Sequence, residues 1–175
     1  MQTLKIALAI IGALLLQMLL PKYLDFFKYV DLPLVLTVYF GLQRAPLLGM
    51  FTGVALGMGG DAVMGGVLGV GGFAKTLIGY VVAVASVRFA LEHPLLRLAI
   101  VALASAANTV LIIGLYLMLE QPVVDLSGYG ALGRLIGWRV LADTSLAVVI
   151  FVILDRMFAE QTAARRMAIK KRFYE

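Results

Sequence analysis

The chain has 175 residues, of which 62% are hydrophobic and 14% charged, and its mean hydropathy is +1.00. A soluble domain is about half apolar and about a quarter charged, so this composition excludes soluble enzymes and nucleic-acid modules and makes the bilayer the solvent. The net charge is +5, cysteine is absent and His93 is the single histidine, which excludes disulfides, thiolate nucleophiles and Cys- or His-cluster metal sites.

A membrane helix needs about 20 apolar residues. Leu4 to Leu20 is the first candidate. It ends Met18-Leu19-Leu20-Pro21 without a small-x-small cleavage site, so it reads as a retained helix and not a leader. Leu32 to Gln43 follows, opened by the helix-start signal Asp31-Leu32-Pro33. At 1.5 Å per residue it covers only about 18 Å, too short to cross unless its ends extend, Arg44 snorkels or the bilayer thins. Pro46 to Met64, Val67 to Val87, Leu95 to Leu119 and Trp138 to Leu154 complete the series, with Trp138 suited to an aromatic belt. Between the last two, Glu120 to Gly137 holds Pro122, Asp125, Ser127 and several glycines, and is expected to make turns. The expected fold is therefore an all-α integral membrane protein, a bundle of about six transmembrane helices over residues 1–158. A basic cytoplasmic tail follows over 159–175.

The Lys and Arg residues set the orientation. With six spans, ten lie on the side of the C-terminal tail and four (Lys22, Lys28, Arg134, Arg139) on the other, Lys75 being inside a span. This puts both termini in the cytoplasm. With five spans the C-terminus keeps its side and only the N-terminus changes. There is no Walker A sequence, nucleophile elbow or H-E-x-x-H pair, so no enzyme and no cofactor are expected.

Gly49, Gly53 and Gly57 recur every four residues and lie on one face of the third helix. In lipid, such a stripe permits close backbone approach, either as a seam within this chain or as a groove for another protein's helix. Asp61 continues the stripe, and Lys75 sits well inside the fourth helix. Ionisable groups in spans are costly and are functional candidates by default. Two antiparallel neighbours would let Lys75 reach Asp61 as an ion pair, the alternatives being a ligand-facing or proton-relay role, or independent snorkelling. Arg139 and Asp143, four apart, suggest an intrahelical pair. Ala102, Ser105, Ala106, Asn108 and Thr109 form a small, polar-spotted patch expected to hydrogen-bond between helices, with Asn108 alternatively a ligand contact. His93 is expected to be solvated. The tail residues Arg165, Arg166, Lys170, Lys171 and Arg172 suit topology and surface anchoring on an anionic leaflet, or contact with a cytoplasmic partner.

Several of these features occur together in one family. Gln17 near the end of the first helix, Asp31-Leu32-Pro33, Arg44-Ala45-Pro46, the run Gly49, Gly53, Gly57 and Asp61, Leu68-Gly69 and Gly79-Tyr80 follow in an order that resembles the rod shape-determining protein MreD family. The resemblance implies a non-enzymatic membrane scaffold of the bacterial inner membrane. It would serve the cell-wall elongation machinery by binding the single-span protein MreC. Through MreC it would meet the RodA glycosyltransferase, a transpeptidase and the MreB cytoskeleton, with a second copy of the chain and membrane lipid as further partners. It carries over Gly49, Gly53, Gly57, Asp61, Gly69 and Gly79 as structural or interface positions. Such proteins are also similar in fold to the substrate-binding subunits of energy-coupling-factor vitamin transporters. That function is the alternative, and Ala9-x-x-x-Ala13 would be its docking seam.

Overall fold

Pro33, Pro46 and Pro94 each stand in the first turn of a helix, where a missing N–H costs nothing and the fixed φ favours helix. The computed structural model describes residues 2–23, 25–89, 93–121 and 129–157. Six α-helices follow one another: α1 Gln2–Tyr23, α2 Leu32–Gly41, α3 Pro46–Met64, α4 Val70–Arg88, α5 Pro94–Met118 and α6 Tyr129–Met157, with a 3-10 turn at Asp25–Lys28 before α2. Among the described residues there is no strand. The chain threads back and forth. The α1–α2 and α3–α4 connections share one end of the bundle, and the α2–α3 and α4–α5 connections share the other. Lys5 Nζ donates to the carbonyl of Met157 at 3.4 Å, so the start of α1 and the end of α6 meet at that second end.

Five of the helices are long and apolar enough to cross a membrane, and α2 is the exception. Its ten residues cover about 15 Å, half the thickness of the hydrocarbon. Its place in the bundle resolves the difficulty, because every residue from Leu32 to Gly41 is buried. It touches all five other helices and so meets protein where a spanning helix would meet lipid. Leu34, Val35, Val38 and Phe40 have no exposed surface and form the centre of the core with Leu56 and Val101. At its far end Tyr39 packs against Phe151 with ring centroids 5.4 Å apart. Leu15, Phe51, Leu103 and Val149 on the surrounding helices face outward, as a lipid-contacting shell requires.

The largest helix contact is between α3 and α4. Their turn needs glycine at two points, Gly65 at φ 70° closing α3 and Gly69 at φ 98° opening α4, both in the left-handed region that costs a side chain energy. Two boundaries differ from expectation. α4 begins at Val70 and not at Val67, after the glycine turn. α6 begins at Tyr129, well before Trp138, because Gly130, Gly133 and Gly137 continue the helix. A Cβ added at any of these three would meet nothing within 4 Å, so they are ordinary helix glycines of the kind common in membranes. Residues 122–128, including Pro122, Asp125 and Ser127, and the tail from 158 onward lie outside the described residues.

Candidate functional site: a polar hub at the start of α2

The link between α1 and α2 does not stay at the end of the bundle. It returns inward so that α2 starts near the level of Gln17, about 9 Å short of the end of α1. Backbone brought into such an apolar interior must find partners, and side chains from the surrounding helices supply them. Gln17 of α1 clamps the link. Its Oε1 accepts from the Leu32 N–H and its Nε2 donates to the Val30 carbonyl, both at 2.9 Å. The Asp31 N–H donates to Asp143 Oδ1 of α6 at 2.7 Å, and Ser105 of α5 donates to Asp143 Oδ2 at 2.6 Å.

The Asp31 carboxylate is the centre of the cluster. Oδ1 caps α2 by accepting from the Leu34 N–H at 3.0 Å, the usual work of an N-cap aspartate. Oδ2 receives Lys75 Nζ of α4 at 2.9 Å and Asn108 Nδ2 of α5 at 3.2 Å. Lys75 is 5% exposed. An ion pair this dry is held by its extra hydrogen bonds as much as by Coulomb attraction, and loses heavily if one partner goes. Thus α1, α4, α5 and α6 each place a polar side chain on the three residues Val30, Asp31 and Leu32.

The expected Asp61–Lys75 pair is not formed. Asp61 lies at the end of α3 and turns to the nearby start of α4, where its Oδ2 accepts from the N–H groups of Gly69 at 2.9 Å, Gly71 at 3.0 Å and Gly72 at 3.3 Å. Those N–H groups have no partner within their own helix, and a carboxylate there also meets the positive end of the helix dipole. Lys75, further down α4, faces α2 instead. The expected Arg139–Asp143 pair is present as electrostatic attraction and not as a hydrogen-bonded contact, the Asp143 oxygens accepting from the Asp31 N–H and the Ser105 hydroxyl. Among the described residues the Arg97 Nε, the Arg139 Nε, the Asn108 Oδ1 and the Thr144 Oγ1 are buried without a hydrogen-bond partner.

The glycine stripe faces α4. A Cβ on Gly53 would come within 2.5 Å of the Lys75 carbonyl oxygen, one on Gly49 within 2.5 Å of the Gly79 carbonyl oxygen, and one on Gly57 would strike Gly71. Each step of four along α3 is matched by a step of four back along α4, as in an antiparallel pair. A groove for a foreign helix is therefore not available here, because α4 fills it. Ala13 of α1 is likewise buried and Ala9 packs on the core, so this small-residue pair points inward.

A second cluster sits at the opposite end. Tyr39 Oη of α2 donates to Asp155 Oδ1 of α6 at 3.2 Å, and Arg97 Nη1 of α5 donates to Asp155 Oδ2 at 3.0 Å. Nothing in the sequence reading pointed to it. The three residues are far apart along the chain. His93 is exposed and precedes α5. Arg165, Arg166, Lys170, Lys171 and Arg172 lie outside the described residues.

Chemically, the hub is a fastening. Its carboxylates are occupied by N–H groups, a hydroxyl and an ammonium, and among the described residues no three His, Asp or Glu side chains converge to hold a metal ion. Between the hub and Asp61 lies a cavity of about 340 Å³.

No curated protein and no solved structure matches the chain. A family model does, and it is described as rod shape-determining protein MreD and covers residues 2–160. With that match spanning all six helices, the chain belongs to the MreD family of rod shape-determining membrane proteins.

Proposed function

We propose that the chain is a non-enzymatic scaffold of the cell-wall elongation machinery, which binds MreC and through it joins RodA, a transpeptidase and MreB. The observation that carries this reading is the family match over residues 2–160. The polar hub supports it as well, because its acids and its lysine are bonded to one another and fix helices in place. The protein would sit in the bacterial inner membrane with both termini in the cytoplasm. The meeting of Lys5 with Met157 at one end of the bundle supports that reading.

With the glycine face of α3 covered by α4, the MreC helix needs another surface. We place it on α1, the least buried of the five long helices. There Leu4, Leu8, Ile11 and Leu15 are exposed at the i, i+4, i+7 spacing of a single helical face. The chain has no cysteine, so single cysteines can be introduced without background. Leu8→Cys or Ile11→Cys should form a disulfide with a cysteine in the MreC span in native membranes, whereas Leu103→Cys on α5 should not. Failure of the wild-type chain to co-purify with MreC would refute the scaffold reading. Capture of MreC with cross-links only from α5 would refute the assignment of the face.

A further inference from the structure

The cavity is bounded by the starts of α2 and α4, the end of α3 and the facing parts of α5 and α6. Its volume of about 340 Å³ is at the lower end of small-molecule sites, which span about 300–1,000 Å³. One flank is apolar, with Ile112 and Ile113 of α5 and Leu135 of α6. The other presents Lys28, Asp31, Asp61, Lys75 and Arg139.

These five charges are not equivalent. Asp31 is taken by Lys75, Asn108 and the Leu34 N–H, and Asp61 by the first N–H groups of α4. Arg139 differs. Its Nε is shut away from solvent with no acceptor. Asp143, one turn along, attracts it electrostatically, while the Asp143 oxygens accept hydrogen bonds from the Asp31 N–H and the Ser105 hydroxyl. A guanidinium has five donors and does not deprotonate, so a cation on the wall of a void calls for an anion. Three cations against two carboxylates leave one positive charge over in the wall, which disfavours a dense polyanion and favours a group with one negative charge.

We propose that this cavity binds a singly charged oxyanion on a short apolar stem, with Arg139 gripping the anion and the α5–α6 flank taking the stem. The same chemistry is offered by a free phosphodiester or carboxylate and by an anionic lipid headgroup reaching in from the bilayer. The site goes beyond the scaffold reading and does not depend on it.

The test uses the full chain in a neutral detergent with three probes: dihexanoyl phosphatidylglycerol, its zwitterionic phosphatidylcholine counterpart, and dimethyl phosphate. The phosphatidylglycerol probe should raise the melting temperature and bind saturably, while the phosphatidylcholine probe should not. Arg139→Gln should weaken that binding about tenfold or more, and Arg134→Gln, on the exposed face of the same helix, should leave it unchanged. Gly60→Leu is the second variant. Gly60 lines the void and has no atom closer to an added Cβ than Pro33 Cγ at 3.7 Å, so a leucine fills the space without removing a charge. It should abolish binding, and it decides the matter if Arg139→Gln does not fold. Binding of dimethyl phosphate as well would identify a soluble anion as the source, and binding of the acylated probe alone would identify a headgroup. Equal binding of the charged and zwitterionic lipids, or undiminished binding by Gly60→Leu and Arg139→Gln, would overturn the proposal.

Discussion

Lys75 and Asp31 show what a single buried charge demands of its neighbours. Removing one partner strands the other, a loss of about 3–5 kcal/mol, whereas removing both together is far milder. Lys75→Met should therefore destabilise the bundle strongly in a detergent melt, and the double variant Asp31→Asn/Lys75→Met should recover most of the loss, since Asn still caps a helix well. Additive losses would show that the pair does not act as a unit. Asp61→Ala should cost about 1–3 kcal/mol by leaving the first N–H groups of α4 without their acceptor, and Lys75→Met should not alter that cost, because the two side chains serve different partners. Both residues were visible in the sequence, since a charge inside an apolar span is expensive wherever it lies. Their partners were not. Spacing along the chain gave Lys75 the nearest acid on a neighbouring helix, but Asp61 was already saturated by α4 N–H groups, and the inward dip that brings Asp31 beneath Lys75 leaves no local mark in the sequence.

At the scale of the helix, the glycine stripe was legible as a packing face, and the structure identifies its occupant as α4. Gly53→Leu places a side chain against α4 backbone, which cannot yield as a flexible side chain could, and should cost about 3 kcal/mol or more. Gly12 is the control, since a Cβ there meets nothing within 4 Å. Gly12→Leu should leave the melt within about 0.5 kcal/mol of wild type. The Pro and Asp signals place the starts of α2 and α3, and the apolar run that of α5, to within a residue or so. α6 starts before the expected Trp138 because glycine punctuates soluble chains but is tolerated in membrane helices. The interior place of α2 could not be read from its apolar residues, because a run of hydrophobic side chains looks the same whether lipid or protein surrounds it.

In the whole molecule, α2 acts as an axle. The other five helices enclose it, polar side chains hold its first turn, and Tyr39 ties its last turn to Asp155 of α6. Composition disclosed the membrane, and the apolar runs along the chain the approximate number of helices. The radial order depended on contacts between residues far apart in the chain. A lipid with a photoreactive group in its acyl chain tests that order directly on the unmodified protein. Photolysis in bilayers followed by peptide mapping should place adducts on outward residues such as Leu15, Leu103 and Val149, and none between Leu32 and Gly41. Adducts on α2 at a yield comparable to those on α1 would contradict the account.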